Sequence, residues 1–173
     1  MDSTSDHTPV VVVPYDLAWP SVFDALATEI RDLLGDGARE LVHVGSTAVP
    51  GLSAKPVIDI VLTVDDSSAE STYLAPLIRA GFRLVVREPD WYEHRMLKRD
   101  APSVNLHVFS AECQEVDRML QFRDWLRAHD DDRELYARTK RQLALRTWER
   151  VQDYADAKTE VVAQILGRAR SDT

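Results

Sequence analysis

The chain has 173 residues and a mass of 19.6 kDa, and 45% of its residues are hydrophobic and 29% charged. This globular composition excludes wholesale disorder, the length suits one domain with a helical extension, and no apolar run reaches the ~20 residues that span a bilayer. The net charge is −8 at pH 7, and neither residues 1–111 nor residues 112–173 have the basic excess of a general nucleic-acid binder. We therefore expect a cytoplasmic protein without a membrane partner.

The first part of the chain predicts alternating helix and strand. Residues 1–8 have the polar composition of a loose tail. Pro20 suits the first turn of a helix, and apolar residues recur at helical spacing as far as Leu33. Residues 40–44 and 57–64 are predicted strands. The second has apolar residues on both faces, which is typical of a covered central strand.

Further strands and a helical segment follow. Polar and apolar residues alternate in three more predicted strands, residues 82–87, 91–98 and 104–109. A helix ahead of the first of these strands should kink or begin late at Pro76. From residue 112 the periodicity becomes helical and predicts about three helices. We predict a mixed α/β core with flanking helices over residues 9–111, and C-terminal helices packed on it over residues 112–173.

A small-residue turn, Gly45-Ser46-Thr47, follows the predicted strand at residues 40–44. Glycine permits unusual backbone angles and the close approach of a ligand, and a serine hydroxyl with free N–H groups can hold a phosphate. Gly-Ser also occurs in ordinary turns that bind nothing. The turn becomes a phosphate-binding candidate only together with a second feature.

That second feature is Asp59, which lies between Ile58 and Ile60 in the central predicted strand. A carboxylate there is costly to bury unless it is paired, hydrogen-bonded or metal-bound, so a purely structural role is the alternative. A short connection of 12 residues separates Ser46 from Asp59. It could bring phosphate donors beside a metal-binding carboxylate, the pairing that phosphoryl and nucleotidyl transfer require.

Both features lie within longer motifs. Residues 43–52 read HVGSTAVPGL and residues 55–60 read KPVIDI, and further matches extend from about residue 11 to residue 167. With these motifs the chain strongly resembles the GrpB family over nearly its whole length. The resemblance implies a nucleotidyltransferase-like fold, related to the superfamily that includes polymerase beta.

The resemblance also implies a set of site residues. The superfamily pattern is a Gly-Ser or Gly-Gly turn, a strand with two acids separated by one residue, and a third acid on a neighbouring strand. This chain keeps Gly45, Ser46 and Asp59 but has Val61 at the second acidic position, a change that GrpB-like sequences commonly share. Asp59 would hold the metal, Mg²⁺ or Mn²⁺, and the turn would hold the phosphates.

Polar residues on two other predicted strands could replace the missing acid. Glu93 and Arg95 alternate onto one face of their strand, and Asn105 and His107 onto one face of theirs. If these faces share the cleft of Asp59, Glu93 or His107 would complete the metal site, a carboxylate favouring Mg²⁺ and a histidine favouring Mn²⁺ or another transition metal. His107 is alternatively a general base or a phosphate contact. Each residue could also belong to a polar strand face turned to solvent.

Basic residues beside the turn and in the helical segment are further candidates for phosphate contacts, as is Arg95. Lys55 precedes the Asp59 strand and could reach a phosphate, or it could be a solvated loop lysine. Three pairs of residues four apart share helix faces: Tyr136 with Lys140, Tyr154 with Lys158, and Arg123 with Arg127. Over the cleft they would clamp phosphates and supply a tyrosine that stacks on a base, with Lys140, Tyr154 and Lys158 as the nucleotide-binding candidates. The alternative is that they cover the edge of the core.

These observations leave three interpretations of function. The first is a protein that binds a nucleoside triphosphate with a divalent metal and, if it is an enzyme, transfers the nucleotidyl group to an acceptor that the sequence does not identify. The second is a non-catalytic nucleotide-binding or regulatory module, which Val61 favours because two-metal chemistry normally needs several carboxylates. The third is an adaptor whose motif only holds a loop, which would bind no nucleotide.

Overall fold

The computed structural model describes residues 9–172, so the predicted tail at residues 1–8 lies outside the described residues. The strands are β1 Glu40–Val44, β2 Ile58–Val64, β3 Arg83–Glu88, β4 His94–Asp100 and β5 Ser103–Ser110. The helices are α1 Trp19–Leu34, α2 Leu74–Arg79, α3 Gln114–Ala128, α4 Asp130–Ala144, α5 Val151–Ala157 and α6 Thr159–Ser171. No helix in this part of the chain is long and apolar enough to cross a bilayer.

The predicted mixed α/β architecture is confirmed, with two local differences. Residues 91–93, predicted as the start of a strand, form a turn instead, and Tyr92 and Glu93 have positive φ angles of 54° and 49°. The helical segment contains four helices rather than three, because a break at Lys158 divides the last predicted helix in two. The helix around Pro76 begins late, at Leu74.

The strands form one five-stranded mixed sheet in the order β1-β2-β5-β4-β3. β2 and β5 pair in parallel at the centre, and the other neighbours are antiparallel. Each row of paired residues places its side chains on one face of the sheet. One row contains Asp59, Asn105 and Lys98, and the next contains Val61, His107 and Met96.

One face of the sheet is covered completely and carries the main hydrophobic core. The even-numbered residues of β2 and β5, such as Ile60 and Leu106, pack there against α1 and α2 and are fully buried. From the helices, the core includes Ile30 of α1 and Leu77 of α2. Burial of such side chains stabilises the fold by about 1.5–3 kcal/mol each. This covered face fixes the register of β2 and therefore the face on which Asp59 lies.

The opposite face is covered only in part. Val61 packs against Val116 of α3 and is fully buried. α3 thus covers the later residues of β2, whereas the beginning of the strand, at Asp59, borders a cleft. An acid at position 61 would be buried under a helix, which explains why this position is apolar.

Candidate functional site

Position 45 requires glycine because of its backbone conformation and because Asp59 lies directly against it. Its φ of 70° and ψ of −172° lie in a region that glycine alone occupies readily. A β-carbon at this position would lie 2.6 Å from Asp59 Oδ2. The glycine therefore lets β1 turn sharply beside the carboxylate, and residues Ser46–Ala48 continue as a single 3₁₀ turn at the edge of the cleft.

Asp59 is held by its neighbours on β5. Asn105 Nδ2 donates a hydrogen bond to Asp59 Oδ1 over 2.9 Å, and His107 Nε2 lies 3.7 Å from the same oxygen. Burial acts to raise the pKa of Asp59, but a protonated His107, the Asn105 hydrogen bond and the charge of Lys158 outweigh it, so the pKa lies below its ordinary value. Asp59 is therefore an ionised carboxylate with a fixed orientation, and 28% of its side chain is exposed.

The cleft beside Asp59 has a volume of about 410 Å³ and is rich in lysine. Its lining includes one residue from the loop before β2, one from β4, one from α4 and one after α5: Lys55, Lys98, Lys140 and Lys158. Within residues 9–172, none of these four lysines forms an ion pair. A chain with a net charge of −8 thus gathers four lysines without ion pairs around Asp59, and the other aspartate of the lining, Asp100, pairs with Arg83.

Lys140 connects the helical segment to the turn. It lies on α4, is only 2% exposed, and donates hydrogen bonds to Ser46 Oγ over 2.8 Å and to the carbonyl oxygen of Ser53. Its Nζ lies 4.7 Å from the centre of the Tyr136 ring. Burial, together with repulsion from neighbouring cations including Lys158, lowers the pKa of Lys140 to about 7, although Asp59 opposes this effect. The uncompensated positive charge favours binding of an anion in the cleft.

Tyr154 and Lys158 cover the cleft from the side of α5. Lys158 Nζ lies 4.7 Å from the centre of the Tyr154 ring, and Lys55 Nζ lies 6.0 Å from it. Burial lowers the pKa of both lysines, whereas Asp59 acts in the opposite direction. The Tyr154 ring thus lies among the lysines at the cleft and is 1% exposed.

The Tyr154 hydroxyl is buried and has no hydrogen-bond partner among the described residues. An unsatisfied buried polar group costs about 1–3 kcal/mol, so Tyr154→Phe should leave the free energy of unfolding unchanged or raise it by about 1 kcal/mol. Urea unfolding of the free protein measures this change. Tyr73→Phe is the matched control, because the Tyr73 hydroxyl donates a hydrogen bond to the carbonyl of Ser67 over 2.6 Å and its loss should destabilise. Equal destabilisation by both changes would contradict the prediction.

Arg123 and Arg127 lie behind the turn rather than in the cleft. Arg123 Nη1 donates a hydrogen bond to the carbonyl of His43 over 3.0 Å. Arg127 donates two to the carbonyl of Ala48, over 3.0 Å from Nε and 2.8 Å from Nη2. The expectation that these arginines clamp phosphates is therefore wrong for this cleft. They hold the two ends of the Gly45 turn to α3.

Glu93 and Arg95 also lie outside the cleft, so the prediction that they share it with Asp59 is wrong. The Glu93 carbonyl accepts a hydrogen bond from Ser67, just beyond the end of β2, whereas Asp59 is near the start of that strand. Arg95 is 6% exposed and pairs with Glu70 and Glu93. Glu93 is too distant to ligate a metal with Asp59, since five residues of strand alone span about 17 Å.

The error comes from the register of β4. Asp100 pairs with Ser103 across a two-residue turn, which places Lys98 opposite Asn105 and Met96 opposite His107. Lys98, and not Arg95, therefore faces the cleft. The turn signal Asp100-Ala101-Pro102 in the sequence could have given this register if the hairpin had been counted outward from it.

The other predicted site residues meet at one place. The lining of the cleft contains Ser46, Thr47, Lys55, Asp59, His107, Lys140, Tyr154 and Lys158, and Gly45 lies directly under Asp59. Among residues 9–172, no three histidine, cysteine, aspartate or glutamate side chains are grouped so as to hold a metal ion by themselves. Asp59 is thus the single carboxylate at the centre of the site, and any ion there would need ligands from a bound molecule.

Comparison with known proteins identifies the family. The family model described as GrpB protein matches residues 9–168. A UPF0157 protein of Halalkalibacterium halodurans is 52% identical over 162 residues, which cover 94% of this chain and 83% of that protein. A dephospho-CoA kinase of Mycolicibacterium paratuberculosis is 30% identical over 161 residues, which cover 78% of this chain and 40% of that protein.

A solved structure gives the same result for the fold. The crystal structure of the conserved protein GrpB from Enterococcus faecalis matches with a TM-score of 0.79 and 26% identity, and the match covers 94% of this chain and 98% of that one. The family model covers more than nine tenths of the chain. The chain therefore belongs to the GrpB family.

Proposed function

We propose that this GrpB protein binds a nucleoside triphosphate in the cleft between the Gly45 turn and α5. The observation that carries the proposal is the set of four unpaired lysines, Lys55, Lys98, Lys140 and Lys158, around the ionised Asp59. The negative charge of a triphosphate would pair with these lysines, which have no acidic partner among the described residues. The glycine turn beside the aspartate strand is also the arrangement that the resemblance to nucleotidyltransferases predicts.

The individual contacts follow from this arrangement. Ser46 and Lys140 already share a hydrogen bond at the turn, so a phosphate held there would contact both residues. Lys158 and Lys55 would hold further phosphate oxygens from the opposite side. The Tyr154 ring contacts both lysines and is 1% exposed, so it would position these lysines while they hold the phosphates.

The donor set fits one divalent ion and does not fit two. Mg²⁺ is commonly held by one or two carboxylates together with substrate phosphates and water. Asp59 can act as such a carboxylate, since Asn105 orients it and part of it is exposed. A second ion would need a further acid, and Val61 occupies that position beneath α3. When bound, one Mg²⁺ or Mn²⁺ would neutralise part of the negative charge of the phosphates.

Nucleotidyl transfer is the catalytic form of this proposal. An acceptor oxygen would form a bond to the α-phosphorus, the bond to pyrophosphate would break, and His107 would take the proton of the acceptor hydroxyl. The non-catalytic nucleotide-binding module is the second candidate. The single carboxylate at the site favours it, because two-metal catalysis has no place for its second ion.

Thermal unfolding with a nucleotide panel tests the proposal. ATP, GTP, CTP, UTP and tripolyphosphate would each be added with Mg²⁺, with Mn²⁺ and with EDTA. A ligand at 100 times its dissociation constant adds about 2.7 kcal/mol to the free energy of unfolding. We expect a nucleotide to raise the unfolding midpoint more than tripolyphosphate does. No shift with any nucleotide would overturn both nucleotide-binding candidates.

The low pKa of Lys140 predicts a pH dependence of binding. Burial lowers this pKa from 10.5 to about 7, so the lysine becomes neutral above that value in the free protein. Nucleotide affinity should therefore fall severalfold between about pH 6 and pH 8.5. Isothermal titration measures it. In Lys140→Met this part of the pH dependence should be absent, although titration of the phosphates themselves affects both proteins. Equal pH profiles of the two proteins would contradict the prediction.

A further inference from the structure

A chain of acidic and histidine side chains crosses the sheet from the surface to Asp59. Glu88 lies opposite His94 on neighbouring strands, and its Oε2 is 2.7 Å from His94 Nδ1. His94 Nε2 is 3.0 Å from His107 Nδ1. His107 Nε2 then lies 3.7 Å from Asp59 Oδ1, which is longer than a hydrogen bond. The first two links are hydrogen bonds and the third is not.

When His94 is neutral, these contacts fix which nitrogens carry protons. An ionised carboxylate can only accept, so His94 Nδ1 must donate to Glu88. A neutral imidazole has one N–H, so His94 Nε2 is an acceptor and His107 Nδ1 must donate to it. His107 Nε2 is then left with its lone pair, which agrees with its long distance from Asp59 Oδ1.

The surroundings of His94 support its neutral form. The residue is 4% exposed; its ring lies nearly in the plane of the His107 ring, with centres 5.3 Å apart, and packs against the Phe109 ring, whose centre is 4.7 Å away. Burial lowers the pKa of His94, and the charge of Arg95 acts in the same direction, whereas Glu88 opposes both. Glu88 lies at the outer end of the chain with 47% of its side chain exposed.

We propose that Glu88 and His94 are positioning residues that fix the tautomer of His107, so that His107 Nε2 faces the cleft as the acceptor for a hydroxyl group of the bound substrate. The identity of that substrate rests on the proposed function, but the tautomer does not. Asn105 and His107, both on β5, then have different roles. Asn105 orients Asp59, whereas His107 presents a lone pair to the ligand.

Nitrogen-15 NMR of the histidine side chains tests this proposal without nucleotide. Spectra would be recorded at about pH 8, above the ordinary histidine pKa of about 6.5, and His107 would be assigned with His107→Gln. We expect wild-type His107 to be protonated at Nδ1 and unprotonated at Nε2. Glu88→Ala should mix or reverse the tautomers of His107, and the exposure of Glu88 means that the fold should be retained.

Two further variants make the test specific. His94→Phe keeps the packing against Phe109 but removes the acceptor of His107 Nδ1–H, so the tautomer should change as it does in Glu88→Ala. Glu93→Ala is the matched control, because it removes an acid of the same hairpin that pairs with Arg95 rather than with a histidine. A wild-type His107 protonated at Nε2, or a tautomer unaffected by Glu88→Ala and His94→Phe, would overturn the proposal. The nucleotide panel fails or succeeds independently of this result.

Discussion

Replacing Asp59 with asparagine is expected to remove the metal-dependent part of nucleoside triphosphate affinity while the fold is retained. Asparagine has the same shape, and its amide oxygen can still accept the hydrogen bond that Asn105 donates. It lacks the negative charge that a divalent ion requires. The affinity measured with Mg²⁺ should therefore fall roughly 10- to 100-fold, which corresponds to about 1.4–2.8 kcal/mol.

The behaviour in EDTA distinguishes this loss from damage to the site. Four lysines still surround position 59 in the variant, and they no longer face an opposing aspartate. Metal-free binding of the nucleotide should therefore be unchanged or slightly tighter in Asp59→Asn. Isothermal titration of both proteins with Mg²⁺ and with EDTA gives the four affinities needed. An equal Mg²⁺ effect in wild type and variant would exclude Asp59 as the metal-binding residue.

Replacing Gly45 with alanine is expected to destabilise the protein strongly. The backbone conformation at Gly45 costs any other residue about 1–3 kcal/mol. In addition, the new β-carbon would lie 2.6 Å from Asp59 Oδ2 and 3.1 Å from the β-carbon of Asp59, so the aspartate or the turn must move. We expect the free energy of unfolding to fall by at least about 2 kcal/mol. Urea unfolding measures this change.

Gly37→Ala is the matched control for this variant. A β-carbon at Gly37 meets no atom within 4 Å, and its φ angle is not positive. This substitution should change the free energy of unfolding by less than about 0.5 kcal/mol. Moreover, the two variants should differ in nucleotide binding, since Gly45→Ala displaces the carboxylate. Equal stability of the two variants would show that the close contact between Gly45 and Asp59 is absent in solution.

Much of this site could be predicted from sequence because its parts are local. The even-numbered residues of 57–64 are all apolar, which places Asp59 on the opposite face of β2, and the Gly45-Ser46 turn precedes it by a short connection. The lysine–tyrosine pairs of the helices were also recognisable from their spacing of four. Their position over the cleft depends on how α4 and α5 pack on the core, which spacing alone does not determine.

The failures have a different physical origin. The prediction that Glu93 and Arg95 lie in the cleft rests on alternation within one strand. Alternation shows that the two side chains share a face, but it does not show which face of the sheet that is. The hairpin register decides this, and a shift of one residue exchanges the two faces. Similarly, the role of His94 depends on its contact with His107 on the neighbouring strand. The apolar residue at position 61 is explained by a tertiary contact with α3.

The most direct measurement is a crystal structure of the protein with a non-hydrolysable nucleoside triphosphate analogue and Mn²⁺, located by its anomalous scattering. We expect one Mn²⁺ bound jointly by Asp59 and phosphate oxygens, with the phosphates against Ser46, Lys140 and Lys158. A nucleotide bound elsewhere on the molecule, or a cleft without nucleotide at saturating concentration, would contradict the assignment of this cleft as a nucleotide site.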